Sequence, residues 1–331
     1  MGPPVFSPVL KMHSGNKSIP MSHPFFFVDK NSITSDSILL AGEDFNHLIR
    51  VLRARVGDVV EISDNETKRY RTVLAGIKKE EALLQIKKAS TITKNSCRVS
   101  LFMCLLKKEA MEFAIQKTVE IGVDRIIPVI SARTVVELEG KKTKNKISRW
   151  QQIALSASKQ CKRDFICEIA EPMDAGIIDV GRYDLFFLPV EDIYQDEKED
   201  LIPELKDAIG SLRDVAKVLN GKSGVPAGWS KELKYKKIAA DSENFNSFRN
   251  PEVKNNNKGS NNKKTGDSSL SGPNPPSEIA FMVGPEGGFE KKEVTDLVKK
   301  GAFPINFGTN ILRAETAAIY FISILDYLLK I

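Results

Sequence analysis

Two short stretches carry the residue types that could do chemistry. Residues 281–289 read Phe-Met-Val-Gly-Pro-Glu-Gly-Gly-Phe, and residues 307–317 read Phe-Gly-Thr-Asn-Ile-Leu-Arg-Ala-Glu-Thr-Ala. Each is an apolar run that enters a glycine-bearing loop and leaves as a helix. Glycine lets a ligand approach the main chain and take its N–H groups directly, and Pro285 stiffens the first turn. Gly284, Gly287 and Gly288 do not have GxGxxG spacing, and no GxxxxGK[ST] run occurs, so both phosphate-cradle readings fail. Glu286 argues the same way, because a carboxylate beside a pyrophosphate would repel it. A neutral or cationic ligand fits better: one with an adenine edge and a positive centre, held by backbone amides, apolar walls and a nearby carboxylate. In the second loop Ile311 and Leu312 stand where a helix start is usually polar. They face a ligand or a partner subunit, or else belong to the core. Arg313, Glu315 and Thr316 follow, either as an ion pair and cap without chemistry or as groups that act on a substrate.

Two like-oriented loops form one wall of a site when they lie at the carboxyl ends of a parallel sheet. The second part of the chain reads as such a sheet. Residues 99–106, 123–130, 166–169, 185–188, 279–283 and 304–307 predict strands. Residues 109–121 place Met111, Ala114, Ile115, Thr118 and Val119 at helical spacing, with Gly122 as the cap. A longer helix runs through Ile147, Trp150, Ile153, Ala154, Ala157 and Cys161. Residues 290–300 form another, with Val294, Leu297 and Val298 inward, and residues 316–329 a strongly apolar last one. A strand, helix and strand within about thirty residues make a βαβ unit, right-handed by default. The fold class is therefore α/β, with a parallel sheet covered on both faces. Residues 24–90 differ. They show short strands at 25–28, 58–62, 69–74 and 83–86, a short helix opened by Glu43, Asp44 and Phe45, and a hairpin signal at Asp64-Asn65. This is a small β-rich domain of about 65–70 residues, near the lower limit for independent folding.

Composition sets the bounds. With 331 residues, 41% hydrophobic and 28% charged, the chain can build two domains with a real core. The net charge of +6 permits an anionic partner such as RNA without demanding one. Cys97, Cys104, Cys161 and Cys167 form no CxxC pair and only three histidines accompany them, which argues against a zinc cluster and for reduced cytosolic thiols. No run of 18 apolar residues occurs, so no membrane span is expected. Residues 1–22 read as a disordered leader and not as a signal peptide. Residues 219–277, rich in Lys, Asn, Ser, Gly and Pro, read as an insertion that cannot order itself. It is either a solvated segment with no role or a basic arm that touches RNA.

At the two loops the sequence resembles the SPOUT superfamily of S-adenosylmethionine-dependent RNA methyltransferases, and within it the family that methylates N3 of a uridine in 16S rRNA. Gly284 to Phe289 matches that family's Gly-Pro-Glu-Gly-Gly-Phe loop. Gly308 to Ala317 matches its Leu-Gly-x-x-Ile-Leu-Arg-x-Glu-Thr-Ala segment, with Phe307 for the usual Leu. Residues 116–123 resemble its Lys-x-x-Glu-Leu-Gly-Val helix end. Residues 157–163 resemble its Glu-Gln-Cys-x-Arg block, with Lys159 where Glu is usual. His47 to Arg53, with Gly57-Asp58 downstream, resembles its N-terminal RNA-binding domain. The likeness spans about residues 23–200 and 278–331 and leaves the stretch 219–277 outside.

The resemblance implies a SPOUT-type parallel sheet with a C-terminal trefoil knot, one of the rare exceptions to unknotted chains. A PUA-like β-barrel would occupy residues 23–92, and the methyltransferase domain residues 97–331, interrupted at 219–277. S-adenosylmethionine would sit bent in the knot, and a homodimer would complete the site. The partner would be 16S rRNA or the assembled small subunit in the cytoplasm, with no metal. The implied cofactor contacts are Leu188, Pro189 and Glu191 in one loop, Val283, Gly284, Pro285, Glu286, Gly287 and Gly288 in the next, and Phe307, Gly308, Ile311, Leu312, Arg313 and Thr316 in the last. Methyl transfer from a sulfonium needs an in-line nucleophile in a dry, oriented site. Uracil N3 is a poor nucleophile while protonated, so some group must take the proton or stabilise charge on the flanking carbonyls. Arg313 and Arg163 are the cationic candidates and Glu315 the candidate base. The target base must leave its stack. Arg50, Arg53, Arg55, Lys107, Lys117, Arg133, Gln160 and Arg163 are the candidates to hold RNA. Two other readings stay open: a ribosome-assembly factor that keeps the fold without catalysis, and a methyltransferase of the same fold with another RNA target.

Overall fold

A computed structural model describes residues 23–95, 97–136, 140–190, 278–308 and 310–330. The leader 1–22, the stretch 219–277 and Glu191 lie outside the described residues. The chain divides into two compact units, one ending at Thr91 and the other beginning at Ile92.

In the first unit, strand β1 (Phe25–Phe27) pairs in parallel with β3 (Val59–Ser63). Antiparallel pairings then add β4 (Lys68–Ile77), β5 (Glu81–Thr91) and β2 (Ser37–Ala41), in the order β1-β3-β4-β5-β2. The sequence reading makes no provision for β2. Only Ile38 and Leu40 are buried along it, too few to set a period. β5 extends well past residues 83–86, because its exposed outer half is held by the backbone ladder to β4 rather than by burial. Helix α1 (Gly42–Asn46) runs on into a wide π turn over His47–Val51. It packs Phe45 and Leu48 into the core with Phe26, Val60, Ile62 and Leu74.

The second unit contains β6 (Arg98–Cys104), α2 (Lys108–Ile121), β7 (Arg125–Ile130), α3 (Gly140–Gln160), β8 (Glu168–Ile169), β9 (Met173–Asp174), β10 (Leu185–Pro189), β11 (Glu278–Val283), α4 (Lys291–Lys299), β12 (Phe303–Ile305) and α5 (Ala314–Lys330). The strands form one sheet in the order β12-β10-β11-β6-β7-β8, with β9 also on β7, and every pair is parallel. Successive side chains go to opposite faces. On one face Leu101, Met103, Leu185, Phe187, Phe281 and Val283 share a core with residues of α2, α3 and α5. On the other, Phe102, Cys104, Phe186, Leu188, Ala280 and Met282 share a core with Leu297 of α4 and the segment 175–183. Burial on both sides is why these strands read as unbroken apolar runs. Each fully buried Phe or Leu contributes roughly 1.5–3 kcal/mol. Met111, Ala114, Ile115, Thr118 and Val119 are the buried positions of α2. Gly122 ends that helix at φ +147°, donating its N–H to the Thr118 carbonyl. Among the described residues no helix is long and apolar enough to cross a membrane.

The β3–β4 turn is organised by one carboxylate. Asp64 is buried and accepts from the N–H groups of Glu66 (2.9 Å), Thr67 (2.8 Å) and Lys68 (2.8 Å) and from the Thr67 hydroxyl (3.0 Å). Burial pushes this carboxyl up, but the N–H groups of Lys68, Thr67 and Glu66 together outweigh it and hold the group below the usual carboxylate range. A carboxyl depressed in the folded state adds stability that is full above its unfolded value and is lost as pH falls through its folded value. In urea unfolding at pH 7, Asp64→Asn should cost about 1–3 kcal/mol. The gap between variant and parent should shrink as the pH drops below the carboxylate range.

A cleft at the carboxyl ends of the sheet

Because all pairs are parallel, the carboxyl ends of β6, β7, β10, β11 and β12 share one edge of the sheet. The chain order reverses there: β11, late in sequence, lies between β10 and β6. Crevices outside the carboxyl ends at such reversals are where α/β sheets bind ligands. The loops that leave these strands line a cleft of about 980 Å³. It takes in Lys107, Arg133, Pro189, Val190, residues 283–289 and most of residues 306–315.

The first loop is shaped by close approach. A Cβ on Gly284 would lie 3.1 Å from the Phe289 ring, so a side chain there would push that ring by a few tenths of an ångström. Gly288, at φ +69°, donates its N–H to the Pro285 carbonyl at 2.9 Å and closes a tight turn. The Glu286 carboxylate accepts from the Lys107 N–H at 3.2 Å, at the start of α2, where the helix dipole favours negative charge. The Arg133 guanidinium donates to the Gly287 carbonyl at 2.9 Å. Next to it, the Ala132 N–H donates to Glu293 at 2.8 Å. The other oxygen of Glu293 accepts the Glu290 N–H at 2.9 Å, completing the capping box of α4.

The second loop hangs on Asn306. This residue is 4% exposed, and its Oδ1 accepts the Gly308 N–H at 2.7 Å. The Phe307 ring stacks on Phe321 of α5, with centroids 5.7 Å apart. Ile311 is 74% exposed while Leu312 is half-buried against the core, so the two do not share one role. Arg313 is exposed and Glu315 half-buried; both line the cleft, and neither has an ion-pair partner among the described residues. Arg313 precedes α5 and Glu315 lies only two residues on, so the two side chains do not face each other as an intrahelical ion pair.

Several expected site residues lie elsewhere. Leu188 is fully buried in the core beneath the sheet, and the cleft is reached by the next two residues, Pro189 and Val190. Thr316 is exposed and does not line the cleft. Arg163 sits at the opposite, amino end of the sheet. It donates to the carbonyls of Val119 (3.0 Å) and Val123 (2.7 Å) and pairs with Asp124 (2.8 Å) just before β7. Asp124 in turn accepts the Val99 N–H at 2.9 Å, tying β6 to β7. Gln160, exposed, ends α3 close in sequence to Arg163. Lys117 is paired with Glu120 one turn along α2. The sequence reading leaves out Glu109, Phe113, Val190, Asn306, Asn310 and Ala317, all of which line the cleft. Only Asn306 gives a signal, as an Asn two residues before a glycine that needs a positive φ (Gly308, +98°).

Cys97, Cys104, Cys161 and Cys167 are free, and none lines the cleft. Burial pushes the thiols of Cys97, Cys104 and Cys167 up to about 12, so they stay protonated at neutral pH. Among the described residues no group of His, Cys, Asp and Glu could hold a metal ion. In the first unit Arg50, Arg53 and Arg55 are exposed and lack ion-pair partners among the described residues. Exposed Val51, Leu52 and Val56 lie between and beside them.

A family model for an RNA methyltransferase domain matches residues 93–211 and 230–326, and one for an RNA methyltransferase PUA domain matches residues 40–87. The first match takes in more than half of the chain, which thus belongs to this RNA methyltransferase family. A ribosomal RNA small subunit methyltransferase E of Buchnera aphidicola is 30% identical over 162 residues, 48% of this chain and 62% of that relative. The protein of that name from Mesomycoplasma hyopneumoniae is 26% identical over 298 residues, 90% of this chain and 96% of its own length. Among solved structures, a ribosomal RNA small subunit methyltransferase E from Neisseria gonorrhoeae bound to S-adenosyl methionine superposes with a TM-score of 0.63 at 21% identity, covering 93% of this chain and 98% of that one. At that identity the likeness is one of fold.

The placement of Arg163 yields a test. In urea unfolding, Arg163→Ala should cost about 1.5–3 kcal/mol, the range for hydrogen bonds to a charged group. Asp124→Ala should cost a comparable amount, and the double variant less than the sum.

Proposed function

We propose that this member of the RNA methyltransferase family transfers a methyl group from S-adenosylmethionine to N3 of a uridine in the 16S rRNA of the small ribosomal subunit. The observation that carries the reading is the cleft itself. Two glycine loops offer bare main chain, apolar side chains form the walls, and the unpaired Arg313 and the carboxylate of Glu315 also line it. The relatives named as small subunit methyltransferases support the choice of RNA.

The residues fit an adenosine that carries a positive sulfur. Val283, Leu312, Ala314 and Ala317 supply apolar surface, the Gly284–Gly288 loop supplies backbone, and the Glu286 carboxylate supplies negative charge. When bound, S-adenosylmethionine supplies the electrophilic methyl. What remains for the protein is orientation, exclusion of water and charge. Arg313, exposed and unpaired, stabilises the negative charge that develops on the uracil carbonyls. Glu315, half-buried and lining the same cleft, takes the proton from N3. Arg163 takes no part in this reading, because its donors are spent on the amino end of the sheet. The exposed Arg50, Arg53 and Arg55 of the PUA-like unit hold the RNA backbone. The proposal includes a trefoil-knotted C-terminal region, a homodimer in which Ile311 meets the second copy, and a cytoplasmic location.

Purified protein is incubated with S-adenosylmethionine and small subunits that lack the modification, and the product is mapped by mass spectrometry. One methyl on N3 of one uridine is the expected product. A methyl on a ribose, another base or another RNA would transfer the activity to that target. Cofactor binding without any methylation would favour the assembly-factor reading. Gly287→Val places an isopropyl group against Arg133 and the cleft, and calorimetry should show cofactor binding abolished. Arg313→Ala should lower kcat about 10²–10³-fold, the usual cost of one charge-stabilising donor, with little change in cofactor affinity.

A further inference from the structure

Arg133 is held in a way that a simple phosphate contact does not require. Its aliphatic stem lies along Gly287: a Cβ there would sit 3.5 Å from Arg133 Cβ and 3.7 Å from its Cδ. The guanidinium then turns back, and one terminal nitrogen donates to the Gly287 carbonyl at 2.9 Å. The next N–H, that of Gly288, is bound to the Pro285 carbonyl at 2.9 Å. The peptide between Gly287 and Gly288 is therefore pinned at both ends, and one of the two pins is an exposed side chain.

The base of that side chain is rigid. Residues 131–134 form a closed turn, in which the Thr134 N–H donates to the Ser131 carbonyl (3.0 Å) and the Ser131 N–H donates to the Thr134 hydroxyl (2.9 Å). The Ala132 N–H is fixed by Glu293, the same carboxylate that caps α4. The far end of Arg133 is exposed, and its charge has no carboxylate partner among the described residues. A guanidinium has five donors in a rigid fork. With one on Gly287, the rest remain for an anion, and the fork matches a phosphate in two-point geometry.

Building on the methyltransferase reading, we infer that Arg133 is a positioning residue that couples the two substrates. An RNA phosphate on the free edge of the fork immobilises the side chain, which in turn fixes the Gly287 peptide of the cofactor loop. Ordering done by one ligand need not be done again by the other, so each binds more tightly in the presence of its partner. Linkage makes this gain equal in both directions. A lysine in the same place would attract the phosphate but, as a point charge, would not transmit its fixation to the loop.

The test is equilibrium dialysis of S-adenosylhomocysteine, which cannot react, against the full-length protein with and without saturating small subunits. Parent protein should bind it about tenfold more tightly when subunits are present, within the usual range of coupling. Arg133→Ala should keep its circular dichroism spectrum and reduce the ratio to about one. Arg133→Lys should retain most of the affinity for subunits and still lose the coupling, an outcome that neither a structural defect nor a lost charge explains. Coupling that survives in both variants overturns the proposal and leaves Arg133 as an ordinary phosphate contact. Parent protein that binds both ligands without coupling also overturns it and leaves the methyltransferase reading intact. Failure of folded parent protein to bind S-adenosylhomocysteine under either condition overturns that reading, and this inference with it.

Discussion

A parallel sheet buried on both faces leaves its polar backbone to be satisfied within the layer and the middles of its strands free of charged side chains. Leu101 and Phe102, or Phe186 and Phe187, are neighbours in sequence that sink into different cores. No position along the middle of these strands can carry a charge without losing burial on one side or the other. Every polar function is pushed to the two ends, and the rest of the domain is arranged around that exclusion.

The two ends have taken on different work. At the amino end, arginine is spent on architecture: Arg163 closes the carboxyl terminus of α2 and grips Asp124, which joins β6 to β7. At the carboxyl end, Arg133 and Arg313 have no carboxylate partners among the described residues, and the loops around them are braced by main-chain bonds and by the carboxylates of Glu286 and Glu293. A cation that is already neutralised is a fastener, whereas one left unpaired over a cleft can meet an anion. The same residue type thus reads as structure at one edge of the sheet and as chemistry at the other.

This difference marks how far the sequence could be read. The helix positions of α2, the apolar strands and the two glycine loops were legible because period and turn chemistry are local. The glycine loops do line one cleft. Arg163 was not legible: its partners at Val119, Val123 and Asp124 lie some forty residues away, and nothing near it in sequence distinguishes a gripping arginine from a free one. Leu188 misled for a related reason. It is the second-last residue of a strand whose side chains go by turns to opposite faces, and a one-residue offset decides between core and cleft. The bracing turn at 131–134 and the Asn306 anchor depend on side chains from separate loops meeting, which no local pattern records.

The position of β11 bears on how the chain comes into being. It pairs with β6 on one side, from Glu278↔Arg98 to Val283↔Met103, and with β10 on the other. At a synthesis rate of about 5–20 residues per second, β6 waits on the order of ten seconds for the neighbour that completes its ladder. The first unit, whose pairings all close by Thr91, is finished long before. During that interval β6 presents an apolar strand with one unpaired edge, the kind of surface that chaperones bind and that aggregation exploits. Closure of the long-range β6–β11 ladder is the slow step that such a topology imposes, so the same strand placement that creates the cleft also sets the period of greatest vulnerability in the life of the chain.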